Sequence, residues 1–490
     1  MKTRAFMLVA MVCLASALRL AGQSFHADEI KKLKTFLRQK SAVAGKANYE
    51  QLGVADTNAI NWAALPGLTW GDDGRLTAIK WDSKQLAGSL DLSGFTSLRE
   101  LHCQRNALTE LLLTGDTLLY YTDCYNNAFT ALDITTNVNM EHFCCRYNRL
   151  TTLDLTHNPR LTFLCLSGNL FTHFDISKNP LLKEFYIANC RLEEIDFSRN
   201  PHLQHLSVRS NRLKRLDLSG HAELIQALCY DNELTELNVK GCRALQRLSA
   251  YDNRLSALDL TDCRALENLP LYNNAIAALD VSACPRINFM SLMNNGMHTL
   301  KLPDKPKDKL EIMCAVNRFT YSTLPDAKYL RSYAPQAKVA VNMPTNKVDL
   351  SSEYQVGDSV STFTWASGSM PITPTTAHDG HFTFPADMEG KMLTCTITNG
   401  AYPKLTLTYE ITFTAPVASA VVPDASATIS ASAGSLKILT ARPLTACIYT
   451  LTGSLVIQQR IGVGETNLPI AHGIYIVTLS DGTVRKVFVE

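Results

Sequence analysis

An asparagine returns every 21 residues through the middle of this 490-residue chain: Asn106, Asn127, Asn148, Asn169, Asn211, Asn232, Asn253, Asn274 and Asn295. The one rung without it carries Cys190. Apolar positions keep step with the rung, as in Leu203, Leu206, Val208, Asn211, Leu213, Leu216 and Leu218. A unit this short cannot bury its own apolar face, so successive units must stack and share one continuous core. Each begins with a short strand such as Leu101-His102-Cys103, whose side chains alternate inward and outward, so each unit adds one strand to a parallel sheet. The asparagine falls where the chain leaves the strand. Its amide offers donors and an acceptor to backbone groups that stacking would strand away from water. Six residues later comes an acidic turn pair: Asp133-Ile134-Thr135, Asp154-Leu155-Thr156, Asp175-Ile176-Ser177, Asp196-Phe197-Ser198, Asp217-Leu218-Ser219, Asp259-Leu260-Thr261 and Asp280-Val281-Ser282. Asp with Ser or Thr closes local side-chain to backbone turns on the outer side. No room is left there for a long helix, so short 3₁₀ or extended pieces are expected.

The order L-x-x-L-x-L-x-x-N-x-L resembles the leucine-rich repeat signature, in its short form. It predicts a leucine-rich repeat solenoid over 76–330, with a parallel β-sheet on the concave face and little helix. The unit at 76–97 is divergent: it keeps Leu90-Asp91-Leu92-Ser93 but has Lys84-Gln85 where asparagine is expected. A solenoid needs a terminal cap. Residues 23–75 read as a helical one, with Ile30, Leu33 and Leu37 at helical spacing, Asp28 as N-cap, and Trp62 and Trp70 as filling. Residues 1–22 read as a signal peptide: Lys2 and Arg4 precede an apolar run too short to span a bilayer. No other stretch is apolar and long enough for a transmembrane span.

Beyond a proline-bearing break at Pro303, Ile312-x-Cys314-x-x-Asn317-x-Phe319 forms a last partial unit. Between 335 and 414 the period changes to two. Short alternating strands around Phe363, Phe382, Leu393 and Leu405–Phe413 predict a small β-sandwich. Trp365 with Cys395 resembles an immunoglobulin-like core, though no earlier cysteine pairs with Cys395 and no tyrosine stands two residues before it. Residues 415–434, rich in Ala, Ser, Val and Pro, read as a linker. Strands return over 435–490. There Gly453, Pro469-x-Ala471-x-Gly473-x-Tyr475-x-Val477, Gly482 and Lys486-Val487 resemble the C-terminal sorting domain of the Bacteroidetes type IX secretion system, with Gly473, Tyr475, Gly482 and Lys486 as the sorting motif. That resemblance implies passage across the outer membrane by the type IX secretion machinery, then attachment at the cell surface.

Fourteen cysteines in an exported chain would ordinarily suggest a disulfide scaffold. Their positions point instead to packed thiols. Cys103, Cys124, Cys145, Cys229 and Cys314 hold the inward strand position, and Cys242, Cys263 and Cys284 hold a second column where Asn158, Asn179 and Asn200 stand earlier. Parallel strands roughly 4.8 Å apart keep neighbouring Cβ atoms farther apart than the usual ~3.8 Å of a disulfide. Cys144 and Cys165 differ. Both face outward on adjacent strands, and they are the pair best placed to be bridged. With its cysteine column, the region 98–302 resembles the internalin J-like repeat proteins; with the sorting domain added, the chain resembles a Bacteroidetes internalin J-related surface protein. No metal site is expected, since the cysteines lie a full repeat apart and no C-x-x-C occurs.

Function is expected on the concave face. Its columns carry Tyr121, Tyr125, His142, Phe163, Tyr186, His205, Tyr230, Tyr251, Tyr272 and Phe289, with Tyr147 at a strand end. Tyrosine suits binding surfaces because it offers area with a polar tip. Stacking that merely steadies the sheet is the alternative for Tyr230, Tyr251 and Tyr272. A net charge of +2, with no basic run, argues against nucleic acid. No H-E-x-x-H, G-x-S-x-G or phosphate-binding glycine loop supports an enzyme or a cofactor. The leading expectation is a secreted, surface-attached protein that binds a protein partner in adhesion or cell-to-cell contact. A carbohydrate-binding module and a structural spacer are the alternatives.

Overall fold

The computed structural model describes residues 24–388, 390–414, 427–432, 434–440, 443–450, 454–480 and 484–489. The leader reading of 1–22, Gly453 and Gly482 lie outside them; of the expected linker 415–434, residues 415–426 also lie outside, and Ala427–Ser432 is a strand paired with Ser435–Thr440. The chain divides into two compact units: one holds residues to Val341 with Val348–Phe384 and Met392–Ile411, the other Asn342–Lys347, Pro385–Lys391 and the chain from Thr412 onward.

The first unit is built on a 14-stranded sheet running from Leu68–Trp70 to Leu330–Ser332. Leu68–Trp70 pairs antiparallel with Leu76–Lys80, and every later pairing is parallel. From Glu100–His102 onward each strand of this sheet is three residues long, and its middle residue points into the core: Leu101, Phe143, Leu164, Phe185, Leu206 and Leu248 are fully buried or nearly so. Two residues further on, Cys103, Cys124, Cys145, Cys229 and Cys314 are 0% exposed, as inward packing requires. The residue before each rung takes a left-handed backbone, with φ near +50° at Asn126, Asn189, Asp252, Asn273 and Asn294. Asn and Asp tolerate that conformation better than most residues.

The rung asparagines join neighbouring turns. Asn148 donates through Nδ2 to the carbonyls of Cys124 (3.2 Å) and Cys145 (2.9 Å), and accepts from the Phe129 amide (3.1 Å). Cys190 does this poorly, with its sulfur 3.8 Å from the Leu166 oxygen and 3.6 Å from that of Ala188. Cys190→Asn is therefore expected to raise the unfolding free energy by about 1 kcal/mol, read as a higher urea midpoint at unchanged slope.

A second buried polar column runs behind the first. Asn137 donates to the Leu113 and Asp116 carbonyls, both at 3.0 Å, and Asn158, Asn179 and Asn200 repeat the geometry. His221 reaches the Leu218 and Phe197 carbonyls with its two ring nitrogens. Cys242, Cys263 and Cys284 then donate a thiol to the carbonyl 24 residues back. Asp116 opens the column. It is 0% exposed, and no side chain bonds to its carboxyl; the Phe95 backbone only partly offsets its burial.

On the convex side the aspartates form the expected turns, accepting from the amide two residues on at 2.8–3.0 Å. Of the expected 3₁₀ or extended pieces, one 3₁₀ turn in the described repeats, Ala327–Tyr329, stands before the last strand. Turns and short extended pairs, such as Arg215–Asp217 with Glu236–Asn238, make up the rest.

The helix expected from Ile30, Leu33 and Leu37 is Ala27–Leu37; a second, four-residue helix, Asn48–Gln51, follows, and the rest of the cap is turns and the Leu68–Trp70 strand. The N-cap is His26 rather than Asp28, which sits in the first turn. Leu33, Phe36 and Leu37 are buried. The tryptophan at their centre is Trp81, fully buried and 5.9 Å from the Phe36 ring; of the expected pair, Trp62 is buried and Trp70 is part-buried against Phe25.

After the last repeat strand, five strands and three strands form two sheets between Val339 and Phe413. Trp365 and Cys395 are register partners on adjacent strands of one sheet, and the Trp365 ring meets Phe382 at 4.9 Å. Tyr321 ties the last repeat to this block, its hydroxyl donating to the Ile397 and Leu405 carbonyls at 3.0 and 2.7 Å.

In the second unit, a three-stranded and a four-stranded sheet enclose Leu436, Ile438, Ala446, Ile448 and Val477. Gly473 begins the Gly473–Leu479 strand, Tyr475 is 8% exposed with its hydroxyl on the Ala471 carbonyl, and Lys486 is exposed.

Candidate functional site

The concave face is made by the outward residues of the three-residue strands, which parallel register stacks about 4.8 Å apart. That spacing decides how the aromatic rings sit. Tyr121 lies on His142 at 4.0 Å and 8°, and His142 lies on Phe163 at 4.1 Å and 6°. Phe163 meets Tyr186 at 5.7 Å, tilted. Tyr230, Tyr251 and Tyr272 form a second stack at 4.3 Å per step. Ring faces inside each stack are therefore used up against each other.

Asp123 anchors the first stack. It accepts from the Tyr121 hydroxyl at 3.0 Å and lies 3.2 Å from His142 Nε2 and 3.9 Å from His102 Nδ1. Burial opposes its ionisation, but the His142 and Tyr121 donors outweigh it and hold its carboxyl below the usual range. The same burial, with the Asp123 charge, pushes the Tyr121 hydroxyl well up. Tyr186 is raised likewise by burial and by its bond to Glu184 at 2.7 Å. These phenols stay neutral donors.

Beside the stack lies a hollow of about 530 Å³. Tyr121, Tyr125, His142, Tyr147, Phe163 and Tyr186 all line it, so the structure gathers six of the expected residues in one place. Arg146 and Arg209 also line it. Arg146 sits 4.6 Å over the Tyr125 ring, and Arg209 5.6 Å over that of Tyr230. Tyr147 is 47% exposed, yet its ring lies on the backbone of Gly168, where a Cβ would fall 2.4 Å from it. Cys144 and Cys165, 5% and 6% exposed, are free thiols that also line the hollow. His205, Tyr251, Tyr272 and Phe289 stand on the same face outside it. Sequence reasoning passes over Asp123, Arg146 and Arg209 as site residues, although they stand in the same outward columns.

A larger cavity of about 670 Å³ lies between the cap helix and the first turns. Its polar groups serve one another: Lys32 donates to Asp91 at 3.0 Å and to the Ser93 carbonyl at 2.7 Å, and Glu29 accepts from Arg75 at 3.0 Å. It reads as a structural seam.

No protein-family model and no curated protein matches the sequence. Among solved structures, the functional domain of InlJ from Listeria monocytogenes, which includes a cysteine ladder, is similar at 20% identity and TM-score 0.43, over 69% of this chain and 90% of that one. YopM from Yersinia enterocolitica is similar at 22% and 0.40, over 51% of this chain and 58% of that one. A plant peptide hormone receptor, RGFR1 in complex with RGF2, is similar at 19% and 0.42, over 53% and 47%. The solenoid assignment itself rests on the strand register described above.

Proposed function

We propose that the chain is a leucine-rich repeat binding protein whose concave hollow, from Tyr121 to Arg209, docks a protein partner. The observation that carries this reading is the placement of Tyr125, Tyr147, Tyr186, Arg146 and Arg209 around one hollow on a rigid strand platform. Tyrosine and arginine are the residue types that dominate protein interfaces, because they combine area, few rotors and polar tips. The ring stacking weighs against a sugar site. Sugars lie on open ring faces, and here the faces of His142 and Tyr251 are covered on both sides.

The leader pattern and the type IX-like C-terminal motif extend the proposal: export, display at the cell surface, and a role in adhesion or contact between cells. The test compares the full-length protein with a Tyr125→Ser, Tyr147→Ser double variant on arrays of surface proteins and of glycans. Protein ligands bound by the wild type should weaken at least ~10-fold in the variant, a loss of about 1.4 kcal/mol. Glycan binding alone, or protein binding that ignores the double substitution, would overturn the assignment.

A further inference from the structure

The described cysteines are buried against leucine, bonded into the repeat, or set in the later β-domains, save for two that meet on the concave face. Cys144 and Cys165 are register partners on the adjacent parallel strands His142–Cys144 and Phe163–Cys165. Parallel register puts their Cα atoms about 4.8 Å apart, inside the window of roughly 4.4–6.8 Å that a disulfide accepts. Both side chains open into the hollow rather than the core. Cys144, the Ser167 backbone and the Arg146 guanidinium beside it offset the burial of Cys165 and hold its thiol below the usual range, while its neighbour Cys165 and burial push the Cys144 thiol up. These contacts favour a thiolate at Cys165 over one at Cys144.

We propose that Cys144 and Cys165 form a dithiol–disulfide couple that exchanges with small disulfides entering the hollow, Cys165 attacking and Cys144 resolving. The Cys165 thiolate attacks one sulfur of a low-molecular-weight disulfide. That S–S bond breaks, one thiolate leaves and takes up a proton, and a mixed disulfide remains on Cys165. Cys144 loses its proton and attacks the Cys165 sulfur, expelling the second thiol. Two protein thiols are oxidised and one disulfide is reduced to two thiols. Parallel side chains hold the Cβ atoms about 1 Å farther apart than a relaxed disulfide prefers, so the bridge stays easily reducible. Closing it draws together the strands that carry His142 and Phe163, so the oxidation state of the pair reaches the ring stack.

The test treats the full-length chain with glutathione disulfide and maps the products by peptide mass. The wild type should form a Cys144–Cys165 bridge that dithiothreitol reverses. Cys144→Ser should stop at a mixed disulfide on Cys165, and Cys165→Ser should slow exchange at Cys144 at least ~10-fold. Arg146→Gln should slow the wild-type reaction several-fold. A second measurement needs no variant: in the native chain, Cys144 and Cys165 should alkylate about 100-fold faster than Cys124 or Cys145. The proposal is overturned if the pair alkylates no faster than those interior cysteines, or if Cys165→Ser exchanges as fast as the wild type.

Discussion

Replacing Asn169 with alanine is expected to lower the unfolding free energy by about 3–5 kcal/mol. Asn169 is 3% exposed, donates to the Cys145 carbonyl at 3.1 Å and the Leu166 carbonyl at 2.8 Å, and accepts from the Leu150 amide at 2.9 Å. Alanine removes the side chain, orphans the Leu150 amide and leaves the Leu166 carbonyl only the distant Cys190 sulfur, while the Cys145 carbonyl keeps Asn148 at 2.9 Å. Each orphaned group costs about 1–3 kcal/mol, more than the roughly 1 kcal/mol that an ordinary exposed bond contributes. The groups belong to different turns, so the loss falls on the contact between neighbours, the interaction that holds a stack of repeats together. Chemical denaturation followed by circular dichroism would show a lower midpoint, and a second transition if the stack parts at that turn. A loss below ~1 kcal/mol would mean that water replaces the amide and that the rung is not a structural fastener.

The second large effect is a gain. Asp116 stands at the head of the buried Asn column, and burial pushes its pKa up to about 8. An unfolded aspartate titrates near 3.9. Between those values the folded chain holds a proton that the unfolded chain has released, so stability falls as pH rises through that window and levels off above it. Asp116→Asn removes the titration and supplies an amide whose counterparts donate to carbonyls 24 and 21 residues back. The two proteins should differ by about 1 kcal/mol below pH ~4 and by several kcal/mol above pH ~8, since each tenfold difference in proton affinity between folded and unfolded chain is worth about 1.4 kcal/mol. The difference between their stability–pH curves cancels the contribution of Glu29, whose buried carboxyl is also raised. A flat difference curve would contradict a buried carboxyl that holds its proton in the folded chain.

Much of the architecture is legible because it is periodic. The rung asparagines, the inward cysteines and the acidic turns all follow from a step of 21 residues, and each lands where that step puts it. Non-periodic features are harder. Trp81 does not stand out as the cap's centre because it lies in the divergent first unit, where Lys84 and Gln85 break the pattern. Asp28 looks like an N-cap by residue type, but the chain enters the helix earlier, at His26. Asp116 and His221 are readable in principle, since each lies a whole number of periods from Asn158. The site is legible as columns and not as chemistry. Alternation shows which side chains face outward, but only the strand spacing and rotamers show that His142 is sandwiched between Tyr121 and Phe163, or that Asp123 joins their edges.

The most direct measurement is hydroxyl-radical footprinting of the full-length protein, free and bound to a protein ligand selected on the surface-protein array. Binding in the hollow predicts that protection falls on Tyr125, Tyr147, Tyr186 and Phe163, while the exposed Leu118, Val138 and Leu181 on the repeat turns oxidise at their free rate. Protection of those outer turns with the hollow residues unchanged would place the partner on the convex side and contradict the account.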